Sequence, residues 1–211
     1  MPTIGIAIPC YKPHHHFLTR LINSIVAQTR RPDQVVISCS SWDHDGRQEF
    51  DAGGIPVTIV YAKRRIVQAE NRNIAASLLN TDILSFIDAD DIMHPRRTEY
   101  ILRTFQETQC DGVVHNYQHV KHESPVPFET EDAYVCVDEP VIKNPTHLGC
   151  IVGNHALHHA HLSIMRNVFA RFQYPIEEQF YRIEDAVYLG TLVQNGLTIR
   201  YLQNKLSQYF Y

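Results

Sequence analysis

Three carboxylates stand within four residues of one another in the middle of the chain: Asp88, Asp90 and Asp91. They follow an apolar, β-prone run from Ile83 to Ile87, and Pro95 then suits the first turn of a helix. The pattern predicts a buried parallel strand with Asp-x-Asp at its carboxyl end, where open α/β sheets bind ligands. Two carboxylates there can hold a divalent cation that also binds phosphates. The alternative is an acidic loop that only caps a helix N-terminus.

Strands and helices alternate around this motif. Apolar runs indicate strands, and apolar residues spaced three and four apart indicate helices. The predicted elements of the first half are strands at 3–9, 34–38, 55–61 and 83–87, with helices at 18–26, 67–79 and 95–109. This order predicts an α/β fold with a mostly parallel central sheet flanked by helices.

The second half of the chain is less regular. Its predicted elements are a strand at 112–120, short strands near 134–137, a helix at 161–172, a helix from Asp185 to Asn195-Gly196 and a last strand at 197–202. Nothing in the composition marks a linker, and no internal repeat is visible. We therefore expect one domain over residues 1–211.

Composition and charge exclude several classes of protein. The chain has 211 residues, 44% hydrophobic and 20% charged, which is typical of a globular protein. A net charge of -4 argues against a dedicated nucleic-acid binder, which needs a broad basic surface. No apolar run is long enough for a membrane span and no secretory signal is visible. We expect a cytoplasmic protein, with peripheral association to a membrane left open. The five scattered cysteines form neither a disulfide framework nor a zinc motif.

Taken in order, four segments resemble those of the family 2 glycosyltransferases with the GT-A fold. They are Ile6-Ala7-Ile8-Pro9-Cys10-Tyr11, Ala69-Glu70-Asn71-Arg72-Asn73, Phe86-Ile87-Asp88-Ala89-Asp90-Asp91 and Glu184-Asp185. The matches extend over about residues 3–196. The resemblance implies a single GT-A domain, a nucleotide-diphospho-sugar transferase, with a nucleotide-binding half (1–110) and an acceptor-binding, catalytic half (111–211).

The resemblance also implies an activity and its cofactor. A sugar would pass from a nucleotide-sugar donor, a UDP-sugar favoured, to a glycan or other hydroxyl acceptor, with inversion at the anomeric carbon. Mn²⁺ or Mg²⁺ would stabilise the leaving diphosphate. Asp90 would be the main metal ligand, and Asp88 would bind the ribose or join the metal. The implied nucleotide-binding residues are Pro9, Tyr11, Arg72, Asp88, Ala89 and Asp90.

The implied catalytic pair is Glu184 and Asp185, with Asp185 as general base and Glu184 orienting the acceptor or the loop. Simpler interpretations stay open at each position. Tyr11 could simply be a partly buried tyrosine, Arg72 could lie on a helix surface, and the acidic pair could merely lie at a helix N-terminus. Asp91 could cap the following helix.

Two features depart from the family pattern. Ile37-Ser38-Cys39-Ser40-Ser41 stands where the family often has an acidic residue that meets the nucleobase, so the base stays open. No histidine follows His161, so the expected metal ligands are aspartate, phosphate and water. We expect His155 or His161 to line the acceptor or diphosphate side, and His14 to His16 to lie on the surface.

Two other functions compete with glycosyl transfer. A sugar-nucleotide nucleotidyltransferase would need a glycine-rich phosphate loop after the first strand, where this chain has Pro9-Cys-Tyr-Lys-Pro. The second alternative is a catalytically inactive GT-A-like domain that only binds a sugar or a partner.

Overall fold

The computed structural model describes residues 1–42, 50–121, 124–128, 133–145, 147, 149–153, 155–157 and 161–210. Its strands are β1 (Ile4–Tyr11), β2 (Gln34–Ser40), β3 (Val57–Tyr61), β4 (Ile83–Phe86), β5 (Ile92–Met93), β6 (Gly112–Val120), β7 (Cys136–Val137), β8 (Val141–Lys143), β9 (Cys150–Val152), β10 (His155–Ala156), β11 (Leu162–Met165) and β12 (Ile199–Phe210). Its α-helices are α1 (Leu18–Val26), α2 (Gln68–Ser77), α3 (Arg97–Thr108), α4 (Arg166–Arg171) and α5 (Glu184–Gln194). Short 3-10 helices occupy Lys12–Phe17 and Glu178–Phe180.

One large sheet forms the centre of the molecule, with strand order β3-β2-β1-β4-β11-β6-β12-β5 and β7 also paired to β12. Strands β3, β2, β1, β4, β6 and β12 run in one direction, while β11 lies antiparallel between β4 and β6. A separate three-stranded sheet has the order β10-β9-β8. The expected α/β architecture with a mostly parallel sheet is confirmed.

The side chains of β1 point alternately to the two faces of the sheet, so each face has its own part of the hydrophobic core. Ile6 and Ile8 pack with the apolar face of α1, whereas Ala7 packs with α2 and α5 on the opposite face. All three side chains are fully buried. Both faces are therefore covered, as a mostly parallel sheet requires, and only the strand ends are left for binding.

The helix predicted at 161–172 is wrong in its first part. Residues Leu162–Met165 form β11, and a helix follows only at Arg166–Arg171. Leu162 and Ile164 are fully buried between two neighbouring strands. Pairing on both edges outweighs the local helical preference of this segment, because tertiary packing decides the state of short apolar runs.

The last strand is longer than predicted. It was expected to end at Leu202, but β12 continues to Phe210. Its pairing with β6 shifts register between Leu202 and Lys205 and again between Lys205 and Gln208. These irregularities let the strand continue through Gln203 and Asn204, polar residues that resemble a turn in the sequence. The extension brings the end of the chain to the binding edge of the sheet.

Candidate active site

A cleft of about 750 Å³ opens at the carboxyl ends of β1, β2 and β4. The start of α2, the segment before α5 and the end of β12 form its other walls. The described residues that line it are Pro9, Tyr11, His14, Ser40, Arg65, Ile66, Val67, Gln68, Ala69, Asn71, Asp88, Ala89, Asp90, Tyr181, Arg182, Glu184, Tyr209 and Phe210. The acidic motif thus lies at the sheet edge that the sequence predicts.

The centre of the site is the guanidinium of Arg72, on α2, which is almost completely buried. One nitrogen, Nη2, donates to Oδ1 and Oδ2 of Asp88 at 2.9 and 3.1 Å. The other, Nη1, donates to Oε1 of Glu184 at 3.0 Å. Gln68 Nε2 also donates to Asp88 Oδ2 at 3.0 Å. The helix-surface interpretation of Arg72 is therefore wrong: its side chain joins α2, the end of β4 and the start of α5.

Charge neutralisation explains how this guanidinium is tolerated in the interior. Burial alone would lower the pKa of Arg72, but the negative groups around it, Asp88 first, raise the pKa overall. For Asp88 the balance is reversed, because burial raises its pKa and Arg72 opposes that rise. A buried charge is stable only with partners and hydrogen bonds, so these three residues depend on one another.

Asp90 lies nearer to solvent than Asp88 and has different partners. Its Oδ2 is 3.1 Å from Nδ1 of His14, and the two side chains are 27% and 45% exposed. This hydrogen bond raises the pKa of His14 above its usual value, although partial burial opposes the rise. Arg20 donates to the backbone carbonyl of Asp90. The expectation that His14 is a plain surface residue is wrong, because it lines the cleft beside the acidic motif.

Asp91 points away from the cleft into the core. Its Oδ2 is 3.1 Å from Nε2 of His161, and both side chains are at most 1% exposed. His161 also contacts Ser207 Oγ, on β12. The suggestion that Asp91 caps the following helix is wrong, since α3 begins only at Arg97. His161 cannot line the cleft as expected, because it is buried beneath it. The side chain of His155 lies outside the described residues.

A second buried pair, Arg97 and His115, lies beside the end of β4, from which the acidic motif begins. Arg97 is fully buried and donates from Nε to Nε2 of His115 at 2.8 Å and from Nη2 to the carbonyl of Phe86 at 2.9 Å. Because Nε2 of His115 accepts this bond, its proton must lie on Nδ1, which donates to the carbonyl of Asn116 at 2.7 Å. Burial lowers the pKa of Arg97 to about 9, against the opposing effect of Asp91.

Aromatic and cationic side chains form the outer wall of the cleft. Tyr11 is 40% exposed and lines the cleft, so its ring is partly buried and still open to a ligand. The guanidinium of Arg65 lies over the Tyr11 ring, 5.6 Å from its centroid. Ser40 is fully buried at the end of β2 and reaches the cleft where the family often has an acidic residue. An exposed aromatic face beside a cation suits a flat, anionic ligand such as a nucleotide.

The two acidic residues of α5 differ in environment. Glu184 is buried, lines the cleft and is held by Arg72, so it is more than a surface decoration of the helix N-terminus. Asp185 is half-buried, and its Oδ1 accepts a hydrogen bond from the backbone N–H of Ala186 at 2.7 Å. Both lie in the first turn of α5, where the helix dipole favours ionised carboxylates.

The acidic motif fits a cation that is shared with phosphates. Among the described residues, no three His, Cys, Asp or Glu side chains gather as in a closed metal site. Asp88 and Asp90 both line the cleft, and both oxygens of Asp88 already accept hydrogen bonds. Mg²⁺ and Mn²⁺ in phosphate sites often take only one or two protein ligands, with phosphate and water oxygens completing the shell. The metal role of both aspartates stays a prediction.

Comparison with known proteins identifies the family. The model of glycosyl transferase family 2 matches residues 5–170, which is most of the chain. The chain belongs to glycosyl transferase family 2. An uncharacterized glycosyltransferase of Nostoc sp. is 29% identical over 118 residues, covering 54% of this chain and 36% of that protein. The match thus spans about a third of that protein.

Solved structures agree with the family in fold. S. aureus TarS 1-349 in complex with UDP superposes with a TM-score of 0.72 at 14% identity, covering 99% of this chain and 60% of that one. The UDP-GlcNAc complex of the same TarS fragment gives the same TM-score and identity, covering 99% and 58%. The GT-A fold expected from the sequence is confirmed. No helix in the described part of this family 2 chain has the length and apolarity needed to cross a membrane.

The structure brings the predicted residues of this family 2 chain to one place, with two differences. Pro9, Tyr11, Ala89 and the aspartates 88 and 90 line the cleft, as does Glu184. Arg72 and Asp185 are not among the described lining residues: Arg72 contacts two of them, Asp88 and Glu184, and Asp185 follows Glu184 on α5. Sequence reasoning missed His14, Gln68, Tyr209 and Phe210 as lining residues. His14 could have been found, because it lies in the 3-10 helix that follows β1, a strand that ends at the binding edge.

We expect Arg72→Met to reduce the free energy of unfolding in urea by about 3–5 kcal/mol, because it leaves Asp88 and Glu184 buried without their cation. The matched control is Arg64→Met, at the ion pair with Glu70, whose Arg64 side chain is 65% exposed. That variant should unfold at the wild-type urea concentration. Equal stability of the Arg72 variant and wild type would contradict the conclusion that Arg72 holds Asp88 and Glu184 together.

Proposed function

We propose that this chain is a metal-dependent, inverting glycosyltransferase that uses a UDP-sugar donor and a hydroxyl acceptor. The observation that supports the proposal best is the double ion pair of Arg72. Its guanidinium joins Asp88 on the donor side to Glu184 on the acceptor side. One guanidinium thus fixes the distance between the diphosphate-binding motif and the acidic pair. A reaction between two substrates needs such fixed geometry, since orientation supplies a large part of rate enhancement.

The donor side of the cleft suits a nucleoside diphosphate. Tyr11 offers a partly exposed ring for a base, with Arg65 above it. Asp90 reaches the cleft where the diphosphate would lie. A divalent cation held by Asp90 would supply charge stabilisation for the leaving diphosphate. UDP is favoured because the TarS structures of the same fold are complexes with UDP and UDP-GlcNAc. The chain is similar to only part of TarS, so the sugar and the acceptor are left open.

The general base comes from the side of the cleft where the acceptor substrate would bind. We assign this role to Asp185, in the first turn of α5 beside Glu184. The acceptor hydroxyl gives its proton to this carboxylate as its oxygen attacks the anomeric carbon. Glu184 is paired with Arg72 and positions the start of the helix. Attack on the face opposite the diphosphate inverts the anomeric configuration.

A panel of UDP-, GDP- and TDP-sugars tests the activity directly. We expect Mn²⁺-dependent release of UDP from one UDP-sugar, measured by chromatography, and no release by Asp90→Ala. Release from none of the donors, with nucleotide binding intact by calorimetry, would favour the inactive binding domain instead. Release of pyrophosphate from a sugar phosphate and a nucleoside triphosphate would indicate a nucleotidyltransferase.

We expect Tyr11→Ala to weaken UDP binding by about 1–3 kcal/mol, the usual contribution of stacking between a base and an aromatic ring. Tyr11→Phe should bind like wild type, because it keeps the ring. Titration calorimetry with UDP and Mn²⁺ measures both. Equal affinities of the alanine variant and wild type would show that the ring is not the base platform.

We expect Asp185→Asn to reduce transfer by about 10²–10⁴-fold, the range for loss of a general base, while the affinity for UDP stays at the wild-type value. The reason is that the amide keeps the shape of the carboxylate but cannot take the proton. Glu184→Gln is the matched comparison on the same helix turn. If the glutamine variant loses transfer with intact UDP binding and the asparagine variant does not, the base is Glu184.

A further inference from the structure

His14 and Asp90 form an unusual pair at the mouth of the cleft. Nδ1 of His14 is 3.1 Å from Oδ2 of Asp90, and both residues line the cavity. The two come from different parts of the chain, because His14 lies in the 3-10 helix Lys12–Phe17 after β1 and Asp90 follows β4. Imidazole nitrogen and carboxylate oxygen are both common ligands of divalent transition metals.

We propose that His14 is the second protein ligand of the divalent cation held by Asp90. The inference rests on the proposed function and adds a ligand that precedes the acidic motif. Two ligand atoms about 2.1 Å from a cation, at right angles in an octahedral shell, are separated by about 3.0 Å. The 3.1 Å between Nδ1 and Oδ2 is close to this separation. A cation can therefore bind both atoms once the imidazole ring turns to direct Nδ1 toward it.

The surrounding contacts hold the pair in place before a cation binds. Arg20 donates to the backbone carbonyl of Asp90, and its guanidinium lies between the rings of Phe17 and Phe210, at 4.3 and 4.0 Å from their centroids. Phe17 also contacts the edge of the His14 ring, with centroids 6.1 Å apart. The side chain of Arg20 thus connects the 3-10 helix to the acidic loop. Because the two segments are already held together, less conformational entropy is lost when a metal binds.

Asp88 is the competing candidate for the second ligand, and its contacts argue against it. Both of its oxygens accept hydrogen bonds from Arg72, and Oδ2 also accepts one from Gln68. A cation bound directly to Asp88 would share its carboxylate with the donors on Arg72 and Gln68 and would lie close to a buried guanidinium of the same charge sign. At His14 the cation would take the place of one contact, the one between Nδ1 and Oδ2 of Asp90.

The test is pulsed electron paramagnetic resonance of Mn²⁺ bound to the full chain with UDP. We expect modulation from a directly bound imidazole ¹⁴N in wild type and its loss in His14→Ala. The Mn²⁺ affinity, measured by calorimetry with saturating UDP, should fall by about tenfold or more. His16→Ala is the matched control, because His16 lies in the same 3-10 helix and packs on Phe17, with ring centroids 3.8 Å apart.

Each outcome decides between the two proposals. Loss of the ¹⁴N signal in His14→Ala alone supports the histidine ligand. An unchanged signal and affinity in that variant overturn it and leave the glycosyltransferase proposal intact. Wild-type protein that binds UDP equally well with and without Mn²⁺ overturns both the ligand and the metal dependence. Wild-type protein that binds no nucleotide overturns the proposed function itself.

Discussion

The site depends on one buried positive charge. Arg72 is 1% exposed, and its guanidinium forms ion pairs with Asp88 at 2.9 Å and with Glu184 at 3.0 Å. None of the three side chains could be buried there alone, because an unpaired ion in the interior costs several kcal/mol. The arrangement forms only when α2, the end of β4 and the start of α5 are all in place. Folding of the two halves of the chain and assembly of the site are therefore one event.

Because of this constraint, the aspartates of the acidic motif have different partners. Asp88 is committed to Arg72 and Gln68, and burial raises its pKa. Asp90, two residues later, faces the cleft beside His14. Both of these aspartates line the cleft, whereas Asp91, the next residue, points into the core and contacts His161. A short acidic run can therefore serve both a binding cleft and the interior.

The sequence predicts the first half of the fold well because its signals are local. Apolar runs and helical spacing depend on neighbouring residues, and β1, α1, α2 and α3 lie where they are predicted. The failures involve contacts distant in sequence. His161 meets Asp91 across 70 residues, and β12 reaches Phe210 through register shifts that no local pattern announces. Candidate site residues could be predicted from their chemical type, but the buried ion pair between Arg72 and Glu184 on α5 could not.

The neighbouring residues Asp90 and Asp91 show how exposure separates binding from support. Each lies 3.1 Å from a histidine nitrogen, so the two pairs are alike in chemistry and distance. His161 and Asp91 are at most 1% exposed, and no ligand can reach between them without opening the core. His14 and Asp90 are 45% and 27% exposed, so a cation can enter from the cleft. The buried pair holds the acidic loop from the core side, and that support keeps the exposed pair in place at the cleft.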